Sequence, residues 1–135
     1  MIVVDSNVVA YLYLPGEHTA AAEALLEREP DWAVPLLWRS EFRNILAGYV
    51  RRKALTFDHA CALQTEAESL LAHSEFEVNS RAVLELVRDS TCSAYDCEFI
   101  ALAIELKTKL ATMDKKLLRV FPARTMSLLA RDLRR

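Results

Sequence analysis

The chain contains few of the residues on which several common kinds of functional site depend. Among its 135 residues there are only two glycines, Gly16 and Gly48, and three cysteines, Cys61, Cys92 and Cys97. Two separated glycines cannot form the glycine-rich loops that bind nucleotide phosphates. An odd number of cysteines without a C-x-x-C pair favours buried, reduced thiols over a disulfide framework or a zinc site.

Histidine and long apolar runs are equally scarce. His18, His59 and His73 lack the H-E-x-x-H spacing, which argues against a transition-metal site. The longest uncharged apolar run in the C-terminal half, Phe99 to Ile104, is far too short to span a bilayer. The first apolar run stops at Asp5, well before the length of a signal-peptide core. We therefore expect a cytoplasmic protein without a membrane segment.

The charge balance does not favour general nucleic-acid binding. The formal net charge is −2 and the isoelectric point is about 5.9. Basic residues nevertheless collect in three clusters, for each of which a solvated helix face or end is the simplest interpretation. These clusters are Arg51, Arg52 and Lys53; Lys115, Lys116 and Arg119; and Arg131, Arg134 and Arg135.

Short apolar segments alternate with longer segments of helical periodicity along the whole chain. We predict strands over residues 2–4, 32–34, 76–78, 109–114 and 123–128, with helices over 7–14, 18–29, 37–53, 57–73, 80–89, 94–108 and 115–121. Strands that alternate with helices of this length indicate a parallel sheet covered on both faces. The expected fold is a single α/β domain over residues 1–135, a three-layer α/β/α sandwich with a central, mostly parallel sheet.

Four carboxylates occupy positions that are unusual for solvated acids. Asp5 and Asp114 each follow a predicted strand and precede a helix, so both should emerge at the carboxyl edge of the sheet, where α/β proteins bind ligands. Glu41 and Asp96 lie within helices, beside the apolar stripe rather than opposite it. The pattern predicts four acids that point inward from four separate elements.

A purely structural interpretation accounts for three of these acids. Asp5 and Asp114 are good helix N-caps, and Ser93-x-x-Asp96 matches a capping box, each stabilising a helix by about 1 kcal/mol. Glu41 is harder to explain in this way, because we expect it in mid-helix, where no backbone amide needs a partner. An arginine on the same helix or a neighbouring helix could shelter it instead.

If the four acids do converge, electrostatics indicates what the cluster is for. Two carboxylates about 5 Å apart repel each other by roughly 3 kcal/mol at an effective dielectric constant near 20. A cluster of four would therefore be destabilising without a cation. Mg²⁺ and Mn²⁺ prefer oxygen ligands and would reverse the sign of the interaction. Such a centre suits phosphodiester hydrolysis, in which the metal activates a water and neutralises charge on the phosphate.

The contexts of the four acids resemble those of a known family. The segments are VVDSN at the first strand, RSEFRNIL around Glu41, SAYDCEFIALA around Asp96 and LATMDKKLL around Asp114. In this order, and over nearly the whole chain, they resemble the PIN domain, specifically the VapC-type toxins of bacterial toxin–antitoxin pairs.

The resemblance implies a Mg²⁺- or Mn²⁺-dependent endoribonuclease. The residues implied as metal-binding and catalytic are Asp5, Glu41, Asp96 and Asp114. Glu41 would help to orient the attacking water, while Asn7 and Thr112, which we interpret first as capping residues, match positions that support the site. For Glu98 there are two interpretations, an additional charge behind the site or a solvated surface residue, and we favour the second.

The resemblance also implies partners. These are an RNA substrate, a second copy of the chain in a homodimer, and a cognate antitoxin that covers an apolar groove and reaches the acidic site. For the RNA phosphates, the candidates are Lys115, Lys116 and Arg119, directly after Asp114.

Two other functions compete with this interpretation. In a catalytically silent PIN-like interaction or regulatory domain, the acids would only cap helices and would not bind metal together. A phosphatase resembling the haloacid dehalogenase group would use Asp5 as nucleophile, but its D-x-D-x-T stretch is not matched by Asp5-Ser6-Asn7-Val8-Val9.

Overall fold

Five short strands form the central sheet in a computed structural model that describes residues 1–130. They are β1 (Ile2–Val4), β2 (Trp32–Pro35), β3 (Glu75–Phe76), β4 (Leu110–Thr112) and β5 (Thr125–Ser127). Their order is β3-β2-β1-β4-β5, and every neighbouring pair is parallel. The predicted parallel sheet is confirmed. Of the basic clusters, Arg131, Arg134 and Arg135 lie outside the described residues.

Seven helices within residues 1–130 complete the three-layer α/β/α fold that the alternating pattern predicts. They are α1 (Ser6–Tyr13), α2 (Thr19–Arg28), α3 (Trp38–Arg51), α4 (Phe57–Leu70), α5 (Ser80–Arg88), α6 (Ala94–Glu105) and α7 (Lys115–Val120). Helix α1 packs against α2, α3 and α4, whereas α6 packs against α5 and lies on β1, β2 and β4. None of the helices in this part of the chain is long and apolar enough to cross a bilayer.

The centre of the sheet is the centre of the core. Every residue of β1, β2 and β4 is buried, as expected for parallel strands covered on both faces. Strand β1 pairs with β2 on one side and with β4 on the other, with Val4 opposite Ala111. The chain leaves β1 towards one side of the sheet and returns through β4 on the other, which places the carboxyl ends of both strands at a switch point of the topology.

Three predicted helices are too long: α4 ends at Leu70, where we predicted 73, and a left-handed lysine follows the end of each of the other two. Helix α3 ends at Arg51 and α6 ends at Glu105, where we predicted 53 and 108. Lys53 and Lys107 follow shortly afterwards with φ of 61° and 56°, in the left-handed region that commonly terminates helices. Helical periodicity alone does not reveal this, because lysine is an ordinary helix former.

The third strand was predicted to begin one residue and to end two residues too late. We predicted residues 76–78, but β3 spans Glu75–Phe76. The carboxylate of Glu75 accepts hydrogen bonds from Trp38 Nε1 at 2.7 Å and from Arg39 Nε at 2.6 Å, and the Arg39 bond lowers the pKa of Glu75. This contact holds the edge strand to α3. Asn79 then caps α5 by accepting from the Ala82 amide, which draws the chain out of the sheet.

The cysteines follow the prediction in part. Cys92 and Cys97 are buried free thiols, but Cys61 is exposed. The buried face of α4 is formed by Ala60, Leu63 and Ala67, and Cys61 lies about 100° around the helix from Ala60. The expectation of three buried thiols is therefore wrong at this one position.

Candidate active site

The four predicted carboxylates line one cavity of about 580 Å³ at the carboxyl edge of β1 and β4. Asp5 follows β1, Glu41 comes from α3, Asp96 from α6 and Asp114 precedes α7. No lysine or arginine is among the side chains that line this cavity within residues 1–130. The cavity is therefore anionic, and its acids come from segments more than 100 residues apart in sequence.

Asp5 is held in a fixed orientation by bonds to both of its oxygens. Oδ1 accepts the Val8 amide at 3.0 Å, so Asp5 is the N-cap of α1, and Oδ2 accepts the Thr112 hydroxyl. Burial raises the pKa of Asp5 to about 6, the two hydrogen bonds oppose this, and the charges of Asp114 and Glu41 add to it. Its ionised form is thus costly in the absence of a cation.

Asp114, like Asp5, caps a helix and is bonded to Thr112. Its Oδ1 accepts the Leu117 amide at 3.0 Å and caps α7, while its own amide donates to the Thr112 hydroxyl at 3.0 Å. Within residues 1–130 no donor reaches Oδ2 of Asp114. Capping and site roles are therefore compatible, because a cap occupies one oxygen, orients the carboxylate and leaves the second oxygen towards the cavity.

Only half of the predicted capping box forms at Asp96. Ser93 Oγ accepts the Asp96 amide at 3.1 Å and caps α6. The reciprocal bond from the Ser93 amide to the Asp96 carboxylate is absent among the described residues, so this carboxylate remains available to the cavity. Burial and, next, the charge of Asp114 raise the pKa of Asp96.

Glu41 lies in the first turn of α3 and not in mid-helix as predicted, because α3 begins only at Trp38. Its carboxylate does not cap the helix; Oε1 accepts the hydroxyl of Ser6 at 2.7 Å. Burial and the charge of Asp96 raise the pKa of Glu41, against the Ser6 bond. Arg39, one of the neighbours that could have sheltered Glu41, pairs instead with Glu75.

Several cavity residues were missed or undervalued in the sequence. Ser6 was missed, although it shares a buried helix face with Val9 and Ala10, and this periodicity could have revealed it. Asn7 lines the cavity. Three further residues with polar side-chain groups, which were not predicted, line it as well: Ser40, Asn44 and Tyr95. Glu98 is half-buried, with its pKa raised by burial and by Glu41, so it is not the solvated glutamate that we predicted.

The three basic candidates lie beside the cavity and do not line it. Lys115, Lys116 and Arg119 are exposed. Lys116 Nζ donates to the backbone oxygen of Thr91 at 2.7 Å and lies near enough to Asp96 to lower its pKa slightly, against the dominant effect of burial. The Lys116 ammonium therefore ties α7 to the loop before α6.

The donor set suits a hard divalent cation that retains much of its water. No three His, Cys, Asp or Glu side chains within residues 1–130 are close enough together to hold an ion by themselves. Mg²⁺ typically takes one or two carboxylates, completes its octahedron with waters and binds substrate phosphates. Oxygen donors, mutual charge repulsion and room for water are all present in this cavity. The residues fit Mg²⁺ or Mn²⁺ and do not fit a preformed zinc cage.

Thr112→Val tests how the cavity orients Asp5 and Asp114. The substitution keeps the side-chain shape but removes the hydroxyl that donates to Asp5 and accepts from Asp114. We expect the unfolding free energy to fall by about 1–3 kcal/mol, because a buried hydrogen bond is lost. We also expect the pKa of Asp5 to rise above about 6, because the Thr112 bond lowers it in the wild type. An NMR titration of the variant measures this rise.

Thr125→Val is the matched control for this experiment. Thr125 is also a buried threonine in a strand, and its hydroxyl donates to the Phe121 carbonyl outside the cavity. Its replacement should lower stability and leave the Asp5 pKa unchanged. An unchanged Asp5 pKa in Thr112→Val would contradict the orienting role of Thr112.

Comparison with known families gives a match over most of the chain. The family model described as PIN domain matches residues 2–121. Ribonuclease VapC3 from Pyrobaculum aerophilum is 31% identical over 126 residues, which cover 90% of this chain and 95% of that protein. All four acids, the two supporting residues and the three basic candidates lie within the matched residues.

Solved structures share the fold at low sequence identity. The structure of FitAB bound to an IR36 DNA fragment superposes with a TM-score of 0.74 at 17% identity, over the full length of both chains. FitAcB from Neisseria gonorrhoeae gives 0.71 at 18%, and a toxin-antitoxin complex from Klebsiella pneumoniae gives 0.69 at 17%; each covers 95% of this chain and 98% of the other. At these identities the likeness establishes the fold.

Proposed function

The chain belongs to the PIN domain family, and from that membership we propose that it is a metal-dependent endoribonuclease of the VapC type, the toxin of a toxin–antitoxin pair. The observation that carries the proposal is the convergence of four carboxylates on one cavity that has no cationic side chain among the described residues that line it. A purely structural role would not require a half-buried Asp5 whose pKa is raised to about 6 by loss of hydration.

We assign the metal to Asp5, Asp96 and Asp114, whose carboxylates would hold Mg²⁺ or Mn²⁺. When bound, the ion lowers the pKa of a water and neutralises the charge that develops on the phosphate oxygens. The helix caps at Asp5 and Asp114 hold their carboxylates in position. Asn7 and Thr112 support the site, Thr112 through its bonds to the two aspartates.

Glu41 is assigned to the attacking water. Its Oε1 is occupied by the Ser6 hydroxyl, whereas no donor in the described part of the chain reaches Oε2. Oε2 therefore orients the water and takes its proton. Burial raises the pKa of Glu41 towards the working pH, which makes the carboxylate a better base than a solvated glutamate.

The remaining assignments concern the binding partners and the cellular compartment. RNA phosphates outside the cavity are contacted by Lys115, Lys116 and Arg119, which are exposed next to Asp114. The protein acts on RNA in the cytoplasm, forms a homodimer and is inhibited by a cognate antitoxin. The antitoxin assignment draws on structural neighbours described as toxin-antitoxin and FitAB complexes.

A catalytically silent PIN-like interaction domain is the second candidate. It is favoured by the two complete N-caps at Asp5 and Asp114 and by the absence of a ready metal cage within residues 1–130. Aspartates that only cap separate helices are not expected to bind one Mn²⁺ ion together. A measurement of Mn²⁺ affinity therefore distinguishes the nuclease from the silent domain.

Asp96→Asn tests the proposed function. End-labelled RNA is incubated with the wild type and the variant, each with Mg²⁺, with Mn²⁺ and with EDTA. We expect metal-dependent cleavage by the wild type and a rate reduced by a factor of about 100 or more in the variant, because the substitution removes a proposed ligand while keeping its shape. Calorimetry should also show weaker Mn²⁺ binding.

Asp58→Asn is the control, since Asp58 is an exposed acid in the first turn of α4, outside the cavity. It should cleave like the wild type. A wild type that cuts no RNA and binds no Mn²⁺ would reject the nuclease and favour the silent domain. Cleavage that persists in EDTA or in Asp96→Asn would reject the assigned site.

A further inference from the structure

The cavity carries apolar as well as acidic side chains. Besides the four carboxylates it is lined by Leu37, Ile45, Tyr95, Phe99 and Leu117. Four of these belong to the core or its margin, and Phe99 is only 3% exposed. Tyr95 differs from them, because 63% of its surface is exposed. It is the one aromatic ring of the described cavity lining that presents a large free surface.

Tyr95 is fixed on a rigid part of the molecule. It is the second residue of α6, directly before Asp96, and the Ser93 cap orders this turn. Lys116 Nζ bonds to the Thr91 carbonyl and restrains the loop that leads into the helix. The backbone that carries Tyr95 is therefore ordered beside the acidic cluster, so a ligand that covers the ring does not have to order this turn.

The chemistry of the cavity indicates what would cover this ring. Anionic side chains and the lack of lysine or arginine in the described lining mean that the cavity itself offers RNA no direct charge attraction. A base that stacks on an aromatic side chain contributes about 1–3 kcal/mol, and this works for any base. Stacking requires an unpaired base, because the faces of a base in a duplex are covered by its neighbours.

We propose that Tyr95 is a stacking platform for an unpaired nucleobase next to the scissile phosphate. The assignment rests on the proposed ribonuclease function and adds a substrate-binding residue to it. An RNA base is favoured over a protein side chain because Tyr95 lines the same cavity as the carboxylates that act on the phosphate.

The kinetic test compares Tyr95→Ala and Tyr95→Phe with the wild type on one single-stranded RNA. Tyr95→Ala should lower kcat/KM about 5- to 100-fold, mainly through KM, while Tyr95→Phe stays within about twofold because the ring face remains. Phe57→Ala is the matched control, since Phe57 is an aromatic residue 72% exposed outside the cavity. It should behave like the wild type.

Abasic substrates identify the base as the occupant. One oligonucleotide lacks the base on the 5′ side of the scissile phosphate and another lacks it on the 3′ side. One of the two abasic sites should reduce kcat/KM for the wild type. The same abasic site should have no further effect on Tyr95→Ala, because the stacking interaction that it removes is already absent in this variant. Equal losses from Tyr95→Ala on intact and both abasic RNAs would overturn the proposal, as would wild-type kinetics for Tyr95→Ala.

A binding measurement separates this inference from the catalytic one. Anisotropy of labelled single-stranded RNA is followed with Mn²⁺ on a Glu41→Gln background, which keeps the three assigned metal ligands. Tyr95→Ala should weaken this binding 5- to 100-fold, and duplex RNA should bind less tightly than the single strand. Binding that depends on Tyr95 without any cleavage by the wild type would retain the base site and reject the nuclease. Binding of duplex and single strand with equal affinity, or no RNA binding, would overturn the base site.

Discussion

Replacing Asp5 by asparagine is expected to abolish RNA cleavage and at the same time to make the metal-free protein more stable. The loss of cleavage, by a factor of about 100 or more, follows from the removal of a proposed metal ligand. The gain in stability follows from burial, which raises the pKa of Asp5 from 3.8 to about 6. A carboxylate that serves catalysis at a cost in stability is thus recognised when one substitution lowers the cleavage rate and raises the stability of the metal-free protein.

The stability gain has a defined pH dependence. Because the folded state binds the Asp5 proton more tightly than the unfolded state, ionisation destabilises the fold as pH rises from about 4 to about 7. A shift of about two pKa units corresponds to roughly 3 kcal/mol, and the altered bond to Thr112 would offset about 1 kcal/mol of this. In EDTA, Asp5→Asn should be about 1–2 kcal/mol more stable than the wild type above pH 7 and should lose this advantage near pH 4.

Urea unfolding in EDTA between pH 4 and pH 8 measures this difference, and added Mn²⁺ should stabilise the wild type more than the variant. Asp58→Asn, with its exposed carboxylate, serves as the control and should show neither effect. If Asp5→Asn lost cleavage but was equally destabilised at every pH, Asp5 would be acting only as the cap of α1.

Replacing Phe42 by alanine is expected to cause the largest loss of stability among the variants considered. Phe42 is fully buried next to Glu41 on α3, and its ring packs against Tyr13, with centroids 6.2 Å apart, and against Trp38, at 5.8 Å. A cavity of this kind in a core costs about 3–5 kcal/mol, a large share of the 5–15 kcal/mol that typically stabilises a domain. We expect the midpoint of thermal unfolding to fall by about 10–20 °C.

Differential scanning calorimetry of Phe42→Ala, Phe42→Leu and Phe57→Ala checks this expectation. Phe42→Leu keeps most of the volume and should lose much less stability. Phe57→Ala removes the same atoms from a side chain that is 72% exposed and should change stability by less than about 0.5 kcal/mol. Similar losses for Phe42→Ala and Phe57→Ala would show that the packing between α1 and α3 contributes little.

The local part of this structure was predictable from sequence. An apolar segment that ends in Asp5 and another that leads to Asp114 predict two strand ends with a carboxylate at each, because parallel strands present their carboxyl ends at one edge. Helix caps were also predictable, because Ser93 and Thr56 stand directly before segments of helical periodicity. Each hydroxyl accepts a hydrogen bond from the backbone amide three residues further along the chain. The four acids that we propose for the site were predicted together with these features.

The contacts across the molecule were not predictable in this way. Ser6 bonds to Glu41 over 35 positions and Thr112 to Asp5 over 107, and no local pattern encodes either separation. The raised pKa of Glu98 likewise depends on its burial and, next, on the charge of Glu41, which lies on another helix.

The sequence by itself predicted the element types, the α/β class and the four acids that we propose for the site, because these depend on neighbours within one turn or one strand. The tertiary structure alone decided that β1 lies between β2 and β4, that Thr112 connects Asp5 with Asp114, and that Tyr95 remains exposed beside Asp96. Strand order, burial and hydrogen bonds between residues distant in sequence depend on how the layers pack, and packing is a property of the whole chain.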